Sequence, residues 1–152
     1  PKGEAPTRSF LSRLTNQVDL HDQVVPLVRR HLTPRTFYKD KASDGAIRRL
    51  ANKVKRIDRL VRVAAADIAG RPPRQDEFPE GPWLLQRAEE LKVKDSEPQP
   101  LVLGRHLIEQ GLEPGPGFGP ILKQCFEAQL DGEFHNRKEG IRFLETVLDE
   151  AN

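Results

Sequence analysis

The chain has 152 residues, enough for one or two small domains, with 25 Lys/Arg against 23 Asp/Glu for a net charge of +2. No apolar run approaches the eighteen residues a transmembrane helix needs, and no signal-peptide pattern precedes the first apolar segment, so the composition argues for a soluble, cytoplasmic protein. A single cysteine, Cys125, excludes an internal disulfide, and its place on an apolar helical face makes it a reduced core residue.

Taken in order, the apolar spacings predict helices only. Phe10, Leu11 and Leu14 mark the end of a first helix, and Leu20, Val24, Val25, Leu27, Val28 and Leu32 mark a second that either begins near Pro26 or is kinked there. Ser43 suits the N-cap of the longest helix. Its stripe of Ile47, Leu50, Ala51, Val54, Ile57, Leu60, Val61 and Ala64 keeps spacings of three and four until Gly70, Arg71 and Pro72 stop it. Another helix is expected from Trp83 to Val93, after Pro82.

Leu107 and Ile108 begin a short apolar segment, for which Gly111 is a natural C-cap. An elbow rich in glycine and proline follows, in which Gly115, Gly117 and Gly119 are expected to provide positive φ or close backbone approach. Ile121, Leu122, Cys125, Phe126 and Leu130 form the next helix, ended by a turn at Asp131 and Gly132, and Ile141, Leu144, Val147 and Leu148 line the last. With no alternating segment, the expected fold is all-α: a multi-helix bundle of two small helical subdomains joined by a proline-rich linker. Residues 71–82 and 95–100 are the proline-punctuated connectors.

Charge is unevenly distributed. Residues 1–75 hold 17 Lys/Arg and 7 Asp/Glu, whereas residues 76–152 hold 8 and 16, so only the first half offers a polyanion surface. Arg48, Arg49, Lys53, Lys55, Arg56, Arg59 and Arg62 all fall within the expected long helix, and Arg29 and Arg30 within the one before it. On a continuous helix, Arg48, Lys55, Arg59 and Arg62 follow one flank of the apolar stripe, and Arg49, Lys53 and Arg56 the other. Such a surface suits phosphates, with binding driven by counterion release and shape rather than base readout.

Residues 104–134 carry three ordered motifs: G-x-x-L-I at 104–108, P-G-P-x-F-G-x-I-L at 114–122 and E-A-Q-L-D-G-E-F at 127–134. This block resembles the C-terminal part of the tRNA nucleotidyltransferase (CCA-adding enzyme) and bacterial poly(A) polymerase family. A second stretch, residues 24–74, resembles the rear of the HD-type helical domain found in many of these enzymes. The resemblance implies three parts: residues 1–74 as the rear of an HD-type domain, 75–100 as a linker with one helix, and 101–152 as the C-terminal helical domain. It also implies a function, positioning tRNA for 3′-end nucleotide addition. The family's nucleotide-transferring head, with its paired aspartates, is not in the sequence, and neither is an H-D-x-G-K segment. The chain therefore reads as the back end of a larger protein, with tRNA or another RNA and that head as its partners, and with no catalytic residue of its own.

The His21-Asp22 dipeptide is read as a solvated first helical turn, with Asp19 or Asp22 placed well for capping or for the helix dipole. His31 and Asp67 are the metal-ligand candidates that the HD-type resemblance implies, since phosphoester-hydrolysing sites hold a divalent cation with imidazoles and carboxylates. With only these two ligands in the chain, tight metal binding is not expected here. The competing reading makes His31 a capping residue and joins Asp67 to a backbone amide or to Arg71. An alternative function follows, that of part of an HD-type metal-dependent phosphohydrolase. In the elbow, Arg105, His106 and Lys123 flank a potential RNA contact.

Overall fold

In the computed structural model, which describes residues 3–72 and 77–150, the described residues form nine α-helices and no strand. They are α1 (Glu4–Leu14), α2 (Val18–Arg30), α3 (Thr33–Asp40), α4 (Asp44–Val54), α5 (Ile57–Ala69), α6 (Glu80–Glu90), α7 (Gly104–Glu109), α8 (Phe118–Asp131) and α9 (Arg137–Glu150). The all-α expectation holds. The chain divides into two compact units, Pro1–Pro98 and Gln99–Asn152.

In the first unit α2 packs on α1, α4 and α5, while α6 packs on α3, α4 and α5. Ile47, Leu50, Ala51 and Val54 of α4, Ile57, Leu60 and Val61 of α5, and Leu84 and Ala88 of α6 share one core. Each large aliphatic side chain buried there contributes about 1.5–3 kcal/mol. The helix expected within the 75–100 linker is present as α6, and it is part of this core. The boundary expected at 74/75 lies outside the described residues.

The long helix expected from Ser43 to Gly70 is two helices. Ser43 does cap the first, its Oγ accepting from the Ala46 N–H at 3.3 Å. Lys55 then takes a positive φ of 63° with ψ of −36°, outside any helical region, and its N–H closes on the Ala51 carbonyl at 2.7 Å. Arg56 is extended, with φ of −135°, and Asp58 stands in the first turn of α5, where the helix dipole favours a carboxylate. The apolar spacing continues through the break because both helices face the same core, so periodicity alone hides it. Pro26 lies within α2, which runs through it.

Helix α3 was not expected. Only Phe37 and Tyr38 interrupt its polar run, and two turns are too short to show a period. Pro34 stands in its first turn, and Lys41, at φ of 50°, ends it while the Ala42 N–H donates to the Phe37 carbonyl at 2.9 Å.

The second unit packs α8 on α7 and α9 around Val102, Leu107, Cys125, Phe134 and Leu144. Leu107 is buried, but its neighbour Ile108 is exposed. Gly111 (φ 86°) and Gly132 (φ 88°) adopt the expected left-handed helix ends. The elbow glycines do not behave as expected. Gly115, Gly117 and Gly119 all have ordinary backbone φ, and a Cβ on Gly117 or Gly119 would meet nothing within 4 Å. Close approach occurs instead at Gly140, whose added Cβ would lie 2.9 Å from Phe134 Cε2 and 3.0 Å from Val102 Cγ2.

Candidate nucleic-acid interface

The break between α4 and α5 divides the seven cations singled out in the sequence. Arg48, Arg49 and Lys53 belong to α4, Lys55 and Arg56 to the break, and Arg59 and Arg62 to α5. The two continuous flanks expected on one long helix therefore do not exist. Several of these side chains are engaged within the first unit. Lys55 pairs with Glu97, and the Arg59 Nη1 donates to Gln23 Oε1 at 2.7 Å. Arg56 forms two parallel hydrogen bonds to Asp58, at 2.8 and 2.7 Å. That pairing raises the Arg56 pKa and holds the Asp58 carboxyl below its ordinary range, with the side-chain hydrogen bond the largest cause in both.

Lys53 stands apart from this group. It lines a groove of about 350 Å³ together with Arg8 of α1 and Arg29 and Arg30 of α2. Val25 and Pro26 give the groove an apolar part, and Asp22 and Glu4 line it as well. Glu4 is placed 3.4 Å from Arg8 Nη2 and 3.8 Å from Arg29 Nε, which orders two of the cations without neutralising the group. Four cations from three helices against two carboxylates leave a net positive concavity, the electrostatic form that attracts a phosphate backbone. Sequence reasoning named Lys53, Arg29 and Arg30 but not Arg8. Its four-residue spacing from Glu4 was visible, but its place in one groove with Lys53 depends on the packing of α1 on α2 and of α2 on α4.

His31 and Asp67 do come together. The His31 Nε2 lies 3.6 Å from Asp67 Oδ2, at a cavity of about 160 Å³ walled by Leu32, Ala64, Ile68 and Phe78. His31 follows α2 and its Nδ1 donates to the Val28 carbonyl at 2.5 Å, so it caps the helix end and turns Nε2 toward the cavity. Asp67 Oδ2 also accepts an ion pair from Arg71 Nη2 at 2.7 Å. The same carboxylate oxygen thus faces both the imidazole and a guanidinium, and a cation entering there would compete with Arg71. No group of three or more His, Cys, Asp or Glu placed to hold a metal occurs among the described residues. The pair by itself is an incomplete fit to a metal site.

His21 and Asp22 lie in the first turns of α2, with Asp19 in its first turn, as the dipole argument expects. In the second unit, His106 is only 1% exposed and does not flank a surface contact, which corrects its reading as an RNA neighbour. Its Nδ1 accepts from the Leu103 N–H at 3.0 Å, serving the start of α7, and burial, followed by the charge of Arg137, pushes its pKa down.

No helix among the described residues is long and apolar enough to cross a membrane. Comparison of the chain with protein-family models, with curated proteins and with solved structures returned no match.

Proposed function

We propose that this chain is a helical body-and-tail segment of a tRNA nucleotidyltransferase of the CCA-adding and poly(A) polymerase type, gripping RNA while a head outside the chain adds nucleotides to the 3′ end. The family assignment rests on the ordered motifs at residues 104–134. The carrying observation for RNA contact is the groove in which Lys53 joins Arg8, Arg29 and Arg30. Phosphates entering it would displace counterions, giving binding that is strong at low salt and largely indifferent to sequence.

A salt series of tRNA binding tests this reading, using the parent chain and the Arg29→Gln, Arg30→Gln, Lys53→Gln triple variant. Affinity should fall steeply with salt, and the variant should flatten the log–log slope by about 0.9 for each duplex phosphate it no longer neutralises. An unchanged slope in a folded variant would take the groove out of the interface.

One observation favours a second reading, part of an HD-type phosphohydrolase: His31, just after α2, and Asp67 of α5 converge at one cavity. Titration with Mn²⁺ checks it. Binding that is abolished in Asp67→Asn would support a partial metal site, and no binding would leave Asp67 to Arg71.

A further inference from the structure

The sequence has one tryptophan and one tyrosine, and the fold brings them together at the surface. Tyr38 of α3 and Trp83 of α6 meet edge to face, with ring centroids 5.7 Å apart and planes at 74°. Both line an open cleft of about 550 Å³, whose other walls are Lys39, Lys41, Ala42 and Arg87. Trp83 is packed on the hydrophobic core of the first unit, whereas Tyr38 remains 42% exposed. The core-packed indole therefore backs an outward-facing tyrosine ring. At the mouth, the left-handed Lys41 ends α3 one turn after Tyr38, leaving Lys39 and Lys41 exposed beside the aromatic pair. Arg87 is differently placed, since its guanidinium is held by Asp44 and Glu90.

From this arrangement we infer that the Tyr38–Trp83 cleft binds an unpaired RNA nucleotide, its base stacked on Tyr38 and its flanking phosphates met by Lys39 and Lys41. An exposed aromatic platform beside lysines is the chemistry of single-strand recognition, in which every base offers a π-face and the backbone offers charge. A phosphorylated peptide would instead be served by an arginine fork, and Arg87 is already engaged by two carboxylates. The inference deepens the RNA reading and rests on it, but the cleft shares no lining residue with the groove of Arg29, Arg30 and Lys53.

Because Trp83 is the sole indole, its fluorescence reports directly on this cleft. The full chain is titrated with single-stranded RNA hexamers of adenylate and of uridylate, with the matching RNA duplex, and with linear polyphosphate as a base-free polyanion. Both hexamers should quench Trp83, while the duplex and polyphosphate should not. Tyr38→Ala should bind hexamer about tenfold more weakly and Tyr38→Phe within about twofold of the parent. The Lys39→Gln, Lys41→Gln variant, which alters exposed side chains only, should lower the salt slope by about 0.7 for each single-strand phosphate left without its cation.

Equal binding by Tyr38→Ala and the parent, or equal quenching by polyphosphate, would overturn the inference. The groove triple variant separates the two proposals. Normal hexamer quenching with an unchanged tRNA salt slope would reject the groove and keep the cleft. A flattened tRNA slope without hexamer quenching would do the reverse.

Discussion

Arg56 and Asp58 lock the break between α4 and α5: the Arg56 Nε and Nη2 donate to the two carboxylate oxygens of Asp58 at 2.8 and 2.7 Å. The pair joins Arg56, the extended residue before α5, to Asp58 in the first turn of α5, a bidentate contact that residues two apart within a continuous helix would not make. Asp58 also receives a hydrogen bond from the Arg59 backbone, and its own N–H donates to the Lys94 carbonyl at 3.1 Å. The start of α5 is thereby tied to the chain that follows α6.

Replacing Asp58 with Ala should destabilise the first unit by about 1 kcal/mol, a value reduced from that of a buried charged hydrogen bond because both side chains are partly exposed. The folded state lowers the Asp58 pKa, so its contribution is complete above the ordinary carboxylate range and is lost as pH falls through the folded value. Denaturant midpoints at pH 7 and pH 3 should therefore differ less in Asp58→Ala than in the parent. An equal pH dependence would remove Asp58 from the acid response.

Gly140→Ala should destabilise the second unit although it adds a better helix former to α9. The helical gain is about 1 kcal/mol, and forcing a methyl against a packed ring costs on the order of 1–3 kcal/mol. The ring in question is Phe134, which is buried and rests on Phe143 with centroids 5.5 Å apart, so it has little room to yield. Cys125 supplies the readout, since burial shields its thiol and raises its pKa. A disulfide reagent should label Cys125 slowly in the parent and several-fold faster in Gly140→Ala, in step with a destabilisation of about 1 kcal/mol.

His106 should make the second unit acid-sensitive. Its pKa is lower in the folded state, so the unfolded chain takes up a proton first as pH falls, and stability declines from the unfolded histidine value down to the folded one. Above that window the contribution is complete. His106→Gln, which keeps an acceptor for the Leu103 N–H, should flatten the change in thermal midpoint between pH 7 and pH 5. The same slope in parent and variant would assign that acid response to other groups.

What the sequence determined by itself was local. Period-three-and-four spacing gave the helices other than α3, Ser43 and Gly132 marked ends where they occur, and the excess of cations lies in residues 1–75. These signals depend on neighbours within a few residues, which is the range over which capping, helical period and charge density act. The break at Lys55 and Arg56 was hidden because two helices facing one core preserve the same apolar period as a single helix. Tertiary structure alone decided that Lys53 and Arg8 line one groove, that His31 faces Asp67 beside Arg71, and that Tyr38 stands against Trp83. Those pairings come from how α2 packs on α1, α4 and α5, and α6 on α3, α4 and α5. Helix packing depends on the shapes of whole side-chain surfaces, which no short window of sequence contains.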